Sequence, residues 1–303
     1  MIDRRDLRGY QSSAPPPPWP DSARLAVSVV VNVEEGAELS VADGDMRNES
    51  IYEAREEVIG APDPCLESHF AYGPRQGYRR IADALAAHDI PATFSTCGRA
   101  AERLPWLLAD AVARGHEISC HGWRWESHAG MDEAEERAII ARTHAVIAAA
   151  SGQPPQGWHT RSAASPNTRR LLGEHGGFAY DSDAYDDDVP RIDTVSDRPH
   201  VIIPYAFDTN DMRFQPGGSF THAEDFARYS IAAFERLWAE GATEARMLSI
   251  GLHLRIIGRP ARIAGLETLL AHMVAKGGVW FATRAQIAAC WRRASGLPEW
   301  KPA

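Results

Sequence analysis

A chain of 303 residues that is 44% hydrophobic and 24% charged has enough apolar material for a large buried core. Its formal net charge of −9, without a basic tract, argues against a nucleic-acid partner. The four scattered cysteines, Cys65, Cys97, Cys120 and Cys290, form no C-x-x-C pair and no zinc-knuckle spacing, and they fit a reducing compartment.

The opening stretch, MIDRRDLRGYQSSAPPPPWP, lacks the apolar run of a signal peptide, and no later run is long enough to span a bilayer. A soluble cytoplasmic protein with no membrane partner is the expectation. Residues 1–20 read as an extended proline arm, and residues 21–303 as one catalytic domain. The arm is expected to lie on its own body or on a neighbouring subunit.

Strand-like and helix-like segments then alternate. Leu25 to Val33 is rich in β-branched residues and reads as the first strand. The stretch from Gly36 to Pro74 has no strand signal and reads as a long insertion, with a short helix near Glu49 to Ile59. Further strands are expected at ATFSTC, HEISCH, GWHT, FAYDS, VIIPYAF, RMLSIGLH and VWFAT. Asp132 with Glu135, Thr221 with Glu224, and Thr283 with Gln286 have capping-box spacing. Ser165-Pro166 reads as an N-cap and first turn, and Gly115, Gly241 and Gly277 as helix stops. Such alternation predicts an α/β fold: a closed or nearly closed barrel first, an open doubly wound sheet second. No G-x-G-x-x-G or P-loop follows the first strand, so nucleotide binding has no support.

Polar residues gather where the strands end. Glu34 and Glu35 follow the first, His121 the third, Arg161 the fourth, Tyr185 and a run of aspartates the fifth, Asn210 and Asp211 the sixth, and His253 the seventh. In barrels and α/β sheets that end carries the site. Plainer readings exist: a solvated glutamate pair, histidines bonded to loop carbonyls, a solvated aspartate turn at Asp186 to Asp188. The repetition over six strand ends favours a catalytic face. A glutamate directly after an apolar strand is partly buried, and burial raises its pKa toward base-like values.

In order, Glu34-Glu35, His121, Arg161 with Pro166, Asp181 to Tyr185, and Leu252-His253 resemble the motifs of the polysaccharide deacetylase (NodB-homology) superfamily. The resemblance spans roughly residues 20 to 290 and implies a distorted (β/α) barrel of about seven parallel strands. The family's metal triad is an aspartate, a histidine and a second histidine four residues on. Here the acid is Glu35, the first histidine is His121, and the third position is Trp125. His128, seven residues on, sits nearly two turns away. Zinc needs three protein ligands and an open position, so no cofactor is expected.

That departure is similar to the branch of cofactor-independent allantoinases and cyclic imide hydrolases. VNVEEGAE, HGWRW, YDSDAYDDDVP, VIIPYAFDTNDMRF and MLSIGLHLRIIGRPAR all resemble it. One local difference is Gly157-Trp158-His159-Thr160-Arg161-Ser162, where allantoinases of that branch read Gly-Trp-Tyr-Thr-Gly-Arg. The resemblance implies hydrolytic opening of a cyclic amide or imide and a homo-oligomer, a dimer or tetramer. Glu35 is the expected base with His121 orienting it or sharing the role, and His253 the donor to the oxyanion or leaving nitrogen. Glu34, Trp123, Trp125, Arg161, Tyr185, Asn210 and Asp211 are the expected substrate contacts. Metal-dependent deacetylation of an N-acetylated sugar or amine is the alternative enzyme, and a non-catalytic ligand binder the third reading.

Overall fold

The computed structural model describes residues 7, 9, 15–50, 56–161, 163–215 and 217–303. Its sheet contains β1 (Leu25–Val33), β2 (Ala92–Thr96), β3 (Glu117–Cys120), β4 (Gly157–Trp158), β5 (Tyr180–Asp181), β6 (Arg191–Val195), β7 (Arg198–Ile202), β8 (Met247–His253) and β9 (Val279–Phe281). All nine residues of β1 and all seven of β8 are buried, which is why both read as unbroken apolar runs.

The strand order is β6-β7-β5-β4-β3-β2-β1-β8, with β9 also on β1. From β7 to β8 the seven strands are parallel, as the barrel reading requires. The β6–β7 hairpin is antiparallel and was not visible in the sequence. Its first strand, Arg191–Val195, is largely open to solvent and carries no apolar run. The sheet curls into a half-barrel. No ladder joins β7 to β8; instead the segment after β7 crosses the gap, bridging Asn210 to Gly251.

Helices cover the outside: α1 (Pro64–Tyr72), α2 (Tyr78–Ala86), α3 (Gly98–Arg103), α4 (Pro105–Ala113), α5 (Glu133–Ser151), α6 (Thr168–His175), α7 (Ala223–Glu240), α8 (Pro260–Lys276) and α9 (Arg284–Ala294). The Asp132 carboxylate accepts from the Ala134 and Glu135 amides, and Thr283 with Gln286 closes a reciprocal box. The α7 box lies one residue later than expected, at His222 and Asp225. Ser165 caps the turn before α6, accepting from the Asn167 and Thr168 amides.

No strand occurs among the described residues of the insertion after β1. The helix expected near Glu49 to Ile59 falls partly on 51–55, outside the described residues, and its other positions are not helical. The arm from Pro15 lies on the body. The Pro15 carbonyl accepts from Ala245 N at 2.6 Å, and the buried Trp19 indole donates to the Arg246 carbonyl at 3.0 Å. Trp19 also meets Trp280 and Trp291 with ring centroids 5.9 and 5.8 Å away. Among the described residues no helix is long and apolar enough to cross a membrane.

Candidate active site

β1 delivers two adjacent carboxylates in opposite senses, because successive side chains of an extended chain point to opposite faces. Glu34 lines a cavity inside the mouth of the half-barrel, on the same face as Asn32. Its Oε1 lies 3.4 Å from His121 Nε2 and 3.5 Å from His253 Nε2, and its Oε2 accepts from Arg255 at 2.9 Å. Burial alone would raise the Glu34 pKa, but the charges of His253 and Arg255 outweigh it and hold it well below the usual range.

Glu35, expected as the base, is not part of the cavity lining. Its Oε1 accepts from the Arg255 amide at 3.2 Å and sits against Gly73, where a Cβ would come within 2.6 Å of that oxygen. Burial, opposed by Arg255 and reinforced by the Glu34 charge, raises Glu35 to about 7. The base-like pKa expected of the pair therefore belongs to the residue turned away from the cavity.

His121, at the end of β3, gives its Nδ1 hydrogen to the His159 carbonyl at 2.6 Å. A carbonyl only accepts, so the proton is fixed on Nδ1 and Nε2 faces Glu34. His253, at the tip of β8, is set by Asp211. That carboxylate lies 2.6 Å from His253 Nδ1, and its second oxygen accepts from the amides of His253 and Ile257 at 2.7 and 3.0 Å. Burial works against the imidazolium, yet Glu34 and Asp211 prevail and raise His253 to about 9. Asp211, expected to touch substrate, is fully buried behind the imidazole and acts through it.

The cavity has a volume of about 290 Å³. Trp125 walls one side, with the Arg161 guanidinium stacked 3.6 Å from its ring centroid. Asn210 lies on the opposite wall with Tyr205, Phe207 and His159. Trp123 does not reach the cavity; it packs over Gly98 beneath Arg142, outside the barrel mouth. Tyr185 borders a wider, more open hollow of about 470 Å³ that shares Tyr205 and Phe207 with the cavity. Its ring stacks on Phe207 at 4.0 Å and its hydroxyl lies 3.2 Å from His159 Nε2. The wider hollow carries solvated aspartates and no buried carboxylate–imidazole pair, which makes the smaller one the candidate site.

Arg255, Asn32, Tyr205 and Phe207 complete the site and were not singled out from the sequence, whereas His159, part of the loop that departs from the allantoinase pattern, does line the cavity. Asn32 carried a signal, since it lies two residues before Glu34 on a strand. Arg255 carried none: only folding brings it to a carboxylate 221 positions away.

A metal of the family's kind does not fit this donor set. Among the described residues no three His, Cys, Asp or Glu side chains are grouped to hold an ion. Trp125 puts an indole where the second histidine would stand, and Glu35 bonds Arg255 outside the cavity. Of the groups that converge, Glu34 is engaged by Arg255 and His253 favours its proton.

A curled, mostly parallel α/β half-barrel with acid–base groups at the carboxyl ends of its strands is of the NodB type. The polysaccharide deacetylase family model matches residues 60–180. A Schizosaccharomyces pombe protein named "Putative polysaccharide deacetylase" is 36% identical over 96% of this chain and 98% of its own. The chain belongs to the polysaccharide deacetylase family, and with it to hydrolases that act on carbon–nitrogen bonds. Among solved structures, PuuE allantoinase superposes with a TM-score of 0.93 at 41% identity, over 98% of this chain and 100% of that one. The crystal structure titled a probable polysaccharide deacetylase from Pseudomonas aeruginosa PAO1 gives 0.92 at 43% identity, over 97% and 100%.

Proposed function

We propose that this protein opens a small cyclic amide or imide by hydrolysis, using side chains alone for acid–base work. The observation that carries the reading is the division of charge around Glu34. Its carboxylate is held ionised between an imidazole whose Nε2 faces it and an imidazolium that keeps its proton to about 9. An ionised carboxylate set between a candidate proton acceptor and an imidazolium is an arrangement suited to acid–base work. The likeness to PuuE allantoinase over nearly the whole chain supports a ring substrate. So does the modest cavity, at the small end of the roughly 300–1,000 Å³ usual for small-molecule sites.

In this mechanism His121 takes a proton from water at Nε2. Glu34, 3.4 Å from that same nitrogen, stabilises the imidazolium that forms, while the His159 carbonyl holds Nδ1. The water oxygen adds to a ring carbonyl carbon. His253 gives its Nε2 proton to the departing ring nitrogen as the C–N bond breaks, and Asp211 holds the imidazole in line. Acid–base catalysis of this kind contributes about 10²–10⁴-fold. Trp125 and Arg161 offer a flat, cationic wall for the ring, and Asn210 an amide edge. Glu35 steadies Arg255 and is not the base.

The test is metal-analysed, EDTA-treated protein offered allantoin, hydantoin, succinimide, glutarimide and N-acetylglucosamine oligomers, with and without zinc. Opening of any ring without metal is the expected result. Acetate release that requires zinc, with no ring opened, would replace this reading with deacetylation.

A further inference from the structure

The hydroxyl of Tyr205 is bonded on one side only. Asn32 Nδ2 donates to its oxygen at 3.1 Å and Asn210 Nδ2 at 3.3 Å. Neither amide can be turned around. Asn32 Nδ2 also donates to the Leu252 carbonyl at 3.1 Å, and Asn210 Oδ1 accepts from the Met212 amide at 2.9 Å. Both N–H groups therefore occupy acceptor positions of the phenol, whose own hydrogen must point elsewhere. Among the described residues no acceptor for that hydrogen is found, although Tyr205 is 95% buried. Buried hydroxyl hydrogens without acceptors are uncommon and call for an explanation.

The surroundings supply one. Asn32, Asn210 and Tyr205 all line the catalytic cavity, together with Glu34 and His253. The phenol oxygen rests over Gly251, two residues before His253 on β8, where any Cβ would collide with both that oxygen and the Asn210 amide. The ring is fixed by His159, with centroids 4.4 Å apart. The backbone at 251, the two amides and the aromatic neighbour thus hold one hydroxyl in one place.

We infer that Tyr205 is a catalytic residue, donating its hydroxyl hydrogen bond to the attacked carbonyl oxygen as negative charge develops there. The inference rests on the ring-opening reading and completes its chemistry. Water adds through oxygen to the carbonyl carbon while its proton goes to His121, and the C=O pair moves onto oxygen. Tyr205 stabilises that oxyanion without giving up its proton. The pair returns as the C–N bond breaks, and nitrogen takes the proton of His253. Burial also raises the Tyr205 pKa, despite the Asn32 hydrogen bond, so the hydroxyl stays intact at ordinary pH.

The experiment uses the full chain with succinimide and hydantoin as probes. Tyr205→Phe is expected to lower kcat by about 10²–10³-fold, the usual loss for one oxyanion donor, with KM changed by less than about threefold. A kcat within about threefold of wild type, in protein whose circular dichroism is unaltered, would overturn the inference. Should Tyr205→Phe fail to fold, 3-fluorotyrosine at position 205 keeps every contact and strengthens the donor. In a Glu34→Gln background, the infrared carbonyl stretch of bound succinimide should then move to lower frequency; an unmoved stretch would overturn the inference. A wild-type enzyme that opens none of allantoin, hydantoin, succinimide and glutarimide removes the ring-opening reading itself. Ring opening that persists in Tyr205→Phe removes only this residue.

Discussion

Among the described residues two buried clusters pair a glutamate with a histidine, and one of them borders a cavity. Around Glu136 both carboxylate oxygens are engaged: it accepts from Ser165 Oγ and Thr168 Oγ1, each at 2.5 Å, and lies 3.0 Å from His128 Nδ1. Both Glu136 and His128 are fully buried. The cluster ties the loop after β3 to the start of α6. Around Glu34 the distances to both imidazoles are longer, and the carboxylate faces open space that a substrate can enter. A buried carboxylate–imidazole pair is thus not a site in itself. It becomes one when geometry leaves room for a third party.

The comparison breaks most visibly through Glu34→Gln. The substitution should cost about 10²–10⁴-fold in kcat/KM while the same change at Glu136 leaves the activity of folded protein nearly intact. Steady-state rates on the preferred ring check both. Glu136→Ala should instead appear in thermal or denaturant unfolding, at about 3–5 kcal/mol, because it strands His128, Ser165 and Thr168 in the interior.

The next effect is a pH dependence. With His253 as the proposed acid, kcat/KM should fall tenfold per unit above about 9. Asp211→Asn removes one of the two charges that raise the imidazole and should move that limb to lower pH. The same raised pKa has a stability consequence. Its contribution is complete below the unfolded value of about 6.5 and disappears as pH rises through about 9. Unfolding midpoints across that window should decline less in Asp211→Asn than in wild type.

Smallest of all should be Glu35→Gln, at less than about tenfold in kcat, since its carboxylate lies outside the cavity and bonds Arg255 and the Glu34 amide. A loss as large as that of Glu34→Gln would return the base to position 35. Trp123→Phe should leave kcat and KM within about threefold, in contrast to Trp125→Ala.

Much of this was written in the chain. The strands β1 and β8 announced themselves as continuous apolar runs, and the polar residues at their ends identified the catalytic face. The division between Glu34 and Glu35 was concealed by the same property. A strand buried on both faces shows no alternation, so the sequence does not reveal which glutamate looks inward. Tyr205 was hidden in an apolar stretch, where an aromatic reads as core. Trp123 and Trp125 share strand-like spacing, but the loop bends between them and sends one ring outward. The β6 strand was missed because its residues are mostly solvent-facing, with no burial to impose a pattern.

The position of β1 has a consequence for how the chain reaches its working form. This first strand pairs with β2, but also with β8 and β9, which are made more than 200 residues later. Such distant pairing slows folding and leaves a hydrophobic ribbon waiting for partners while synthesis continues. Glu34 is made more than 200 residues before His253, so the two cannot meet until β8 has been synthesised. A nascent chain that stalls before β8 is both inactive and sticky, which makes this enzyme a natural client for whatever shields unfinished chains.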